Sequence, residues 1–308
     1  MVGVFLPRST REERARGQRN WKGVSFCRRG VGDAKQLSDH DSRNAVNMKL
    51  PIFQVDAFTD KVFGGNPAAV CPLDSWLPNA VMQAIAAENA LAETAFFVPC
   101  DEAYEIRWFT PEIEMDLCGH ATLAAAHVLA RHLNCDRPSI QFLSPSGPLT
   151  VAVSETLLTL DFPSRKPEPA VAPPEILTAI AQAPIAVFKA RDYLLVFDNE
   201  ETIRALDPDQ HQMDQINLDP GGVIVTAPGI EADFVSRFFT PQASIFEDPV
   251  TGSAHCSLIP YWSAKLGKDS MRALQLSPRT GQLVCTHAGD RVLIGGQAIT
   301  YMAGEITV

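Results

Sequence analysis

A stretch that occurs twice constrains this chain more than anything else in it. Arg107-Trp108-Phe109-Thr110-Pro111 is followed by Leu117-Cys118-Gly119-His120-Ala121-Thr122 and an Ala-rich run. Arg237-Phe238-Phe239-Thr240-Pro241 is followed by Glu247-Asp248-Pro249-Val250-Thr251-Gly252-Ser253-Ala254-His255. The two arginines lie 130 positions apart, and Gly119 and Gly252 lie 133 apart, so one copy carries three extra residues between its Pro and its Gly. Each copy reads as a strand, a Thr-Pro turn, a short loop, and a Gly that opens a helix. Two related halves explain the repeat most economically, and a site between their two helix starts follows.

The remaining pattern agrees. Alternating or continuous apolar runs predict strands at 50–58, 68–71, 94–98, 104–109, 140–142, 149–153 and 157–162, with helices at 78–89 and 119–132. Five prolines between 163 and 174 mark a semi-rigid connection. Beyond it, 175–183 and 253–266 read as helices and 185–188, 193–197, 222–226 and 234–239 as strands. Four short apolar runs at 274–276, 282–286, 291–294 and 297–302 read as a closing meander. Each half is thus a sheet with one prominent helix, an α+β pattern and not a doubly wound one. The expected domains are 48–163 and 164–296, with the strand near 297–308 returning to the first.

Composition narrows the function classes. A chain of 308 residues has room for two ordinary domains, and 46% hydrophobic with 20% charged residues fits a globular protein. The net charge of -10 argues against a nucleic-acid surface. No apolar run reaches the roughly 20 residues a membrane span needs. The seven cysteines are scattered and contain no C-x-x-C pair, which suits free thiols in a reducing cytoplasm. Residues 1–47 stand apart, with ten Lys+Arg against five Asp+Glu and no hydrophobic periodicity. They read as a disordered extension outside the fold.

The helix-opening glycines carry the chemistry. The first N–H groups of a helix lack internal partners and sit at the positive end of its dipole, so two such starts facing one cleft suit a carboxylate. His120 and Ser253 follow the two glycines at matched places, and Asp248 lies in the loop ahead of the second helix. Glu93 sits between a helix end and the apolar Ala95-Phe96-Phe97, an environment that favours a protonated carboxyl and suits a general acid/base. Cys118 precedes Gly119 where Thr251 precedes Gly252, so a symmetric pair of thiols is not available for two-base racemisation. A helix N-terminus would still lower a Cys118 thiol pKa. No Cys/His spacing predicts a metal site, the local candidate being His120 with Cys118, and no G-x-G-x-x-G predicts an organic cofactor.

From Met48 onward the chain resembles the PhzF family of phenazine biosynthesis, within the diaminopimelate epimerase-like fold. The resemblance rests on Gln54-Val55-Asp56-Ala57-Phe58, Gly65-Asn66-Pro67, Ala92-Glu93-Thr94-Ala95-Phe96 and both copies of the repeat. It implies two pseudo-symmetric domains, each a curled, mostly antiparallel sheet around a central helix. It also implies a cofactor-free, homodimeric isomerase acting on a small carboxylated substrate, with no metal. Glu93, His120, Asp248 and Ser253 are then catalytic, with Asn66, Cys118, Gly119, Thr251 and Gly252 around the substrate. The alternatives are a racemase or epimerase using Cys118, and a non-catalytic binder on the same fold.

One prediction concerns the extension. A chain beginning at Met48 should match the full-length protein in urea-denaturation stability to within about 0.5 kcal/mol. A larger loss would show that residues 1–47 pack on the core.

Overall fold

The computed structural model describes residues 48–218, 221–243 and 245–308, so the reading of 1–47 as a disordered extension lies outside the described residues. The first half runs β1 (Lys49–Ala57), β2 (Asn66–Pro72), α1 (Asn79–Asn89), β3 (Glu93–Cys100), β4 (Ala103–Phe109) and the two-residue β5 (Glu114–Met115). It continues through α2 (Gly119–His132), β6 (Ser139–Ser144), β7 (Gly147–Val153) and β8 (Leu158–Pro163). The second half opens with β9 (Glu168–Pro169), α3 (Pro174–Ile180), β10 (Ala186–Lys189), β11 (Tyr193–Val196), α4 (Glu200–Ala205) and α5 (Gln210–Met213). It then runs β12 (Val223–Pro228), β13 (Phe234–Phe239), α6 (Gly252–Leu266), β14 (Ser270–Gln275), β15 (Gly281–Ala288), β16 (Arg291–Gly296) and β17 (Ala298–Thr307).

Strand pairing repeats as the sequence does. In the first half the β1–β2 pair is antiparallel, β2–β3 parallel, β3–β4 antiparallel, β4–β6 parallel, and β6–β7 and β7–β8 antiparallel. In the second half β10–β11, β11–β12, β12–β13, β13–β14, β14–β15 and β15–β16 follow the same order of senses. The halves are joined into one hydrogen-bonded ladder where β8 pairs with β16, and β17 returns to pair with β1 along its whole length.

Each half wraps its sheet around one helix. All residues of α2 from His120 to Leu129 are buried, and so are those of α6 from Ala254 to Pro260. A helix buried all round cannot be amphipathic. The small Ala121, Ala124, Ala125 and Ala126 let strands approach α2 closely from several sides. The two short helices α4 and α5 escaped the sequence reading because six and four residues show no period. Their caps mark them instead, since Asn199 accepts from the Thr202 N–H and Asp209 from the Gln212 N–H.

The repeated arginines explain the repeat. Arg107 binds Glu114 through two hydrogen bonds of 2.6 Å, and Arg237 binds Glu247 through two of 2.7 and 2.9 Å. Each guanidinium also lies over the ring two residues on, Phe109 at 5.2 Å and Phe239 at 5.0 Å. Arg and Glu are seven residues apart in one copy and ten in the other, which places the three-residue insertion between Pro241 and Glu247. From each Glu to the helix-opening Gly the spacing is then equal. Cys118 corresponds to Thr251, His120 to Ser253 and Met115 to Asp248. Thr94 pairs with Phe109 as Val223 pairs with Phe239, so Glu93 corresponds to Gly222.

The turn ahead of Asn66 is clasped from the other half. Arg279 donates to buried Asp56 at 2.7 Å and to the carbonyls of Gly64 and Gly65, while the Gly65 N–H donates to Thr280 O. Gly65 has φ +59, and a Cβ there would stand 2.0 Å from the Ala57 carbonyl oxygen. Gly65→Ala should therefore cost about 3 kcal/mol or more in urea denaturation. A cost below about 1 kcal/mol would mean that the turn relaxes freely.

Candidate active site

The two central helices start opposite each other across a cavity of about 490 Å³ lined by residues of both halves. A Cβ built on Gly119 would lie 3.6 Å from the Gly252 Cα, and one built on Gly252 would lie 3.7 Å from the Gly119 Cα. Unlike α4 and α5, neither helix has a side-chain cap: Cys118 and Thr251 occupy the cap positions in extended conformation without bonding the first turn. The uncapped first-turn amides are thus left as donors at the cavity. Phe162 closes against both glycines from the end of β8.

On the first-half wall the structure brings together Asn66, Glu93, Cys118 and His120, and it adds Asp248 from the second half. Glu93 opens β3 and its Oε2 lies 3.2 Å from His120 Nε2. The contact is an ion-pair approach and not a hydrogen bond, and neither buried atom has a hydrogen-bond partner. On the other side of the ring, Asn66 Nδ2 lies 3.2 Å from His120 Nδ1 and donates to Asp248 Oδ1 at 2.7 Å and to Val250 O at 3.0 Å. Those two acceptors take both Nδ2 hydrogens, and on its other side the ring presents Nε2 to Glu93.

Asp248 is held in place by Thr251, whose hydroxyl donates to Oδ2 at 2.5 Å. Gln275 locks this loop from β14: its Oε1 accepts from the Thr251 N–H, and its Nε2 donates to Asp248 O, both at 2.8 Å. Gln275 is fully buried and escaped the sequence reading, since a lone Gln in a strand gives no signal.

Burial sets the protonation. It pushes the Asp248 carboxyl up to about 6, and Glu93 adds to the rise while His120 opposes it. Burial also pushes the Cys118 thiol up, with Glu93 adding, so the expected lowering by the helix N-terminus does not prevail. Burial works against a charge on His120, but Cys118 and Glu93 outweigh it and hold the ring well above its ordinary value. The sequence placed only Cys118 and His120 together. The fold adds Glu93, and the ligand atoms of the three lie within 4.8 Å of one another.

Ser253 lies in the same cavity but makes no hydrogen bond to this cluster among the described residues. Its hydroxyl accepts from Arg191 Nη2 at 3.0 Å. Arg191 in turn pairs with Asp192. Arg165 also lines the cavity. Neither arginine was found from the sequence, because each stands alone beside a strand end with no motif around it.

The sequence profile described as phenazine biosynthesis-like protein, PhzC-PhzF, matches residues 55–304. The chain belongs to that family. An uncharacterized isomerase of Pseudomonas aeruginosa is 51% identical over 259 residues, covering 84% of this chain and 99% of the relative. A crystal structure of a PhzF-family protein from Enterococcus faecalis superposes with TM-score 0.82 at 47% identity, covering 85% of this chain and all of that one. A hydroxyproline epimerase of Agrobacterium vitis shares the fold alone, with TM-score 0.56 at 9% identity over 84% of this chain and 93% of that one. These relatives place the protein among PhzF-like isomerases with the epimerase fold. No helix among the described residues is long and apolar enough to cross a membrane.

The raised Asp248 carboxyl has a consequence for stability. Between its ordinary value of 3.8 and about 6, the native protein holds this proton more tightly than the unfolded chain. The contribution is fully present below the lower value and is lost as pH rises through about 6. From pH 4.5 to 7.5 the wild type should lose about 2 kcal/mol more than Asp248→Asn. Urea denaturation of both proteins at both pH values measures it, and parallel losses would refute the assignment.

Proposed function

We propose that this PhzF-like isomerase moves a proton between carbons of a small carboxylated substrate, with Glu93 as the acid/base and without a cofactor. The observation that carries this reading is the Glu93 carboxylate, 3.2 Å from a buried imidazole, in a cavity where two uncapped helix starts meet. The substrate carboxylate sits at the first-turn amides of α2 and α6. Glu93 removes a proton from carbon next to that carboxylate. The negative charge that develops spreads onto the carboxylate oxygens, where the amides and helix dipoles are already oriented. Glu93 then returns the proton at the far end of an adjacent carbon–carbon double bond, which moves by one position as the charge is quenched. His120 sets a charge partner 3.2 Å from Glu93, and the Asn66–Asp248–Thr251 network holds His120 in place. Ser253 presents its hydroxyl at the start of α6. The protein is expected to work as a cytoplasmic homodimer.

A second reading makes Cys118 the base. Its sulfur lies 3.5 Å from His120 Nδ1, which favours that reading. Against it stand the thiol's raised pKa and the Thr251 in the matching place.

The test begins with a panel of small carboxylated cyclic and amino acids, screened by thermal shift and then by solvent-deuterium incorporation. For any compound that exchanges, Glu93→Gln should lower the exchange rate by a factor on the order of 10²–10⁴. Binding should survive in that variant, and Cys118→Ser should be mild. Wild-type exchange in Glu93→Gln with a dead Cys118→Ser would transfer the role to the thiol. Ligands that stabilise the protein but never exchange would make it a binder.

A further inference from the structure

The two walls of the cavity correspond by symmetry but not by chemistry. Where the first half has Glu93 the second has Gly222, and where the first has His120 held by Asn66 the second has Ser253 held by Arg191. The second wall is cationic. Arg191 spends part of its charge on Asp192, whose side chain is fully buried. Arg165 makes no ion pair among the described residues, and its Nη1 is buried without a hydrogen-bond partner. A buried guanidinium nitrogen with nothing to donate to is costly, so such a group in a cavity awaits an acceptor from outside the chain.

Its position is built, not incidental. Pro260 lies inside α6 and has no N–H to offer the carbonyl one turn back, that of Cys256. The freed Cys256 carbonyl accepts instead from the Arg165 N–H at 2.9 Å. A helix-interior proline thus anchors the Arg165 backbone against the helix whose start forms half of the site. Arg165 and Arg191 line the cavity together with Ser253 and Cys256 of α6.

We propose that Arg165, with Arg191, forms a second anion subsite, so that the substrate is a small dicarboxylate. One carboxylate takes the amides of α2 and α6 beside the carbon that exchanges its proton, and the other takes Arg165. The first half of this assignment rests on the isomerase reading above. The second rests on the arginines alone.

The experiment is isothermal titration of the full-length wild type, Arg165→Met and Arg165→Lys. The probes are the dicarboxylates from malonate to adipate, monocarboxylates of matched chain length, and inorganic phosphate. In the wild type one dicarboxylate should bind about tenfold or more tighter than its matched monocarboxylate. Arg165→Met should bring the two within about twofold and leave the monocarboxylate unchanged, while Arg165→Lys recovers part of the difference. Arg165→Gln replaces the Met variant if that one does not fold. Equal binding of both acid classes by the wild type would overturn the proposal, as would a preference that survives in Arg165→Met. Dependence on Arg165 confined to phosphate would overturn it too. Titration reads binding and not exchange, so Glu93→Gln should keep the preference. A preference without exchange in any compound removes the isomerase reading and leaves the subsite standing; exchange without a preference does the reverse.

Discussion

The site depends on two helix starts left open against each other. A helix start normally satisfies its first N–H groups with a side-chain cap, as α4 and α5 do here. α1, α2, α3 and α6 forgo that, and of these α2 and α6 are the two buried most completely. Orphan amides in a buried place call for an acceptor, and the glycines that open both helices keep the space between them clear for one. Much else can be read as support for this arrangement. The sheets curl to hold the helices, the Arg–Glu pairs fix the loops that lead into them, and Phe162 shuts the gap beneath.

Duplication supplied the frame, and divergence supplied the reactivity. The frame needs equal parts from both halves, and the matching order of strand senses shows that it has them. The chemistry needs unequal parts. Under the proposed proton transfer, Gly222 in place of Glu93 leaves the opposite wall without a carboxylate to compete for the proton. Asp248 crosses the boundary: it comes from the second half yet joins the cluster of the first through Asn66. Its buried carboxyl is raised by desolvation, an effect that Glu93 strengthens and His120 opposes.

Legibility in the sequence followed the length and regularity of each signal. α2 spans the residues its apolar run predicts, and α6 begins one residue earlier than predicted, at Gly252 itself. β4 and β13 stood out because their aromatic content repeats. The cluster of Glu93, His120 and Asp248 was legible through motif residues, though nothing in the sequence showed that Asn66 would bridge two of them. Arg165, Arg191 and Gln275 were not legible. Each acts across a long separation and lies in a segment whose local pattern is that of an ordinary strand end. Pro260 would have counted against a helix at 253–266 on propensity alone. Only the fold shows that the carbonyl it releases finds the Arg165 N–H.

The return of β17 to β1 bears on how the chain reaches this state. β1 lies between β2 and β17, so one edge of the first sheet stays unpaired until residues near 298–307 arrive. The first-half wall of the cleft cannot be finished by the first half alone. During synthesis the β1 backbone must wait through some 240 residues for its partner, a loop closure of high contact order. Folding of the two halves is thereby tied into one late event, and until then β1 exposes an open edge on which a neighbouring chain could pair.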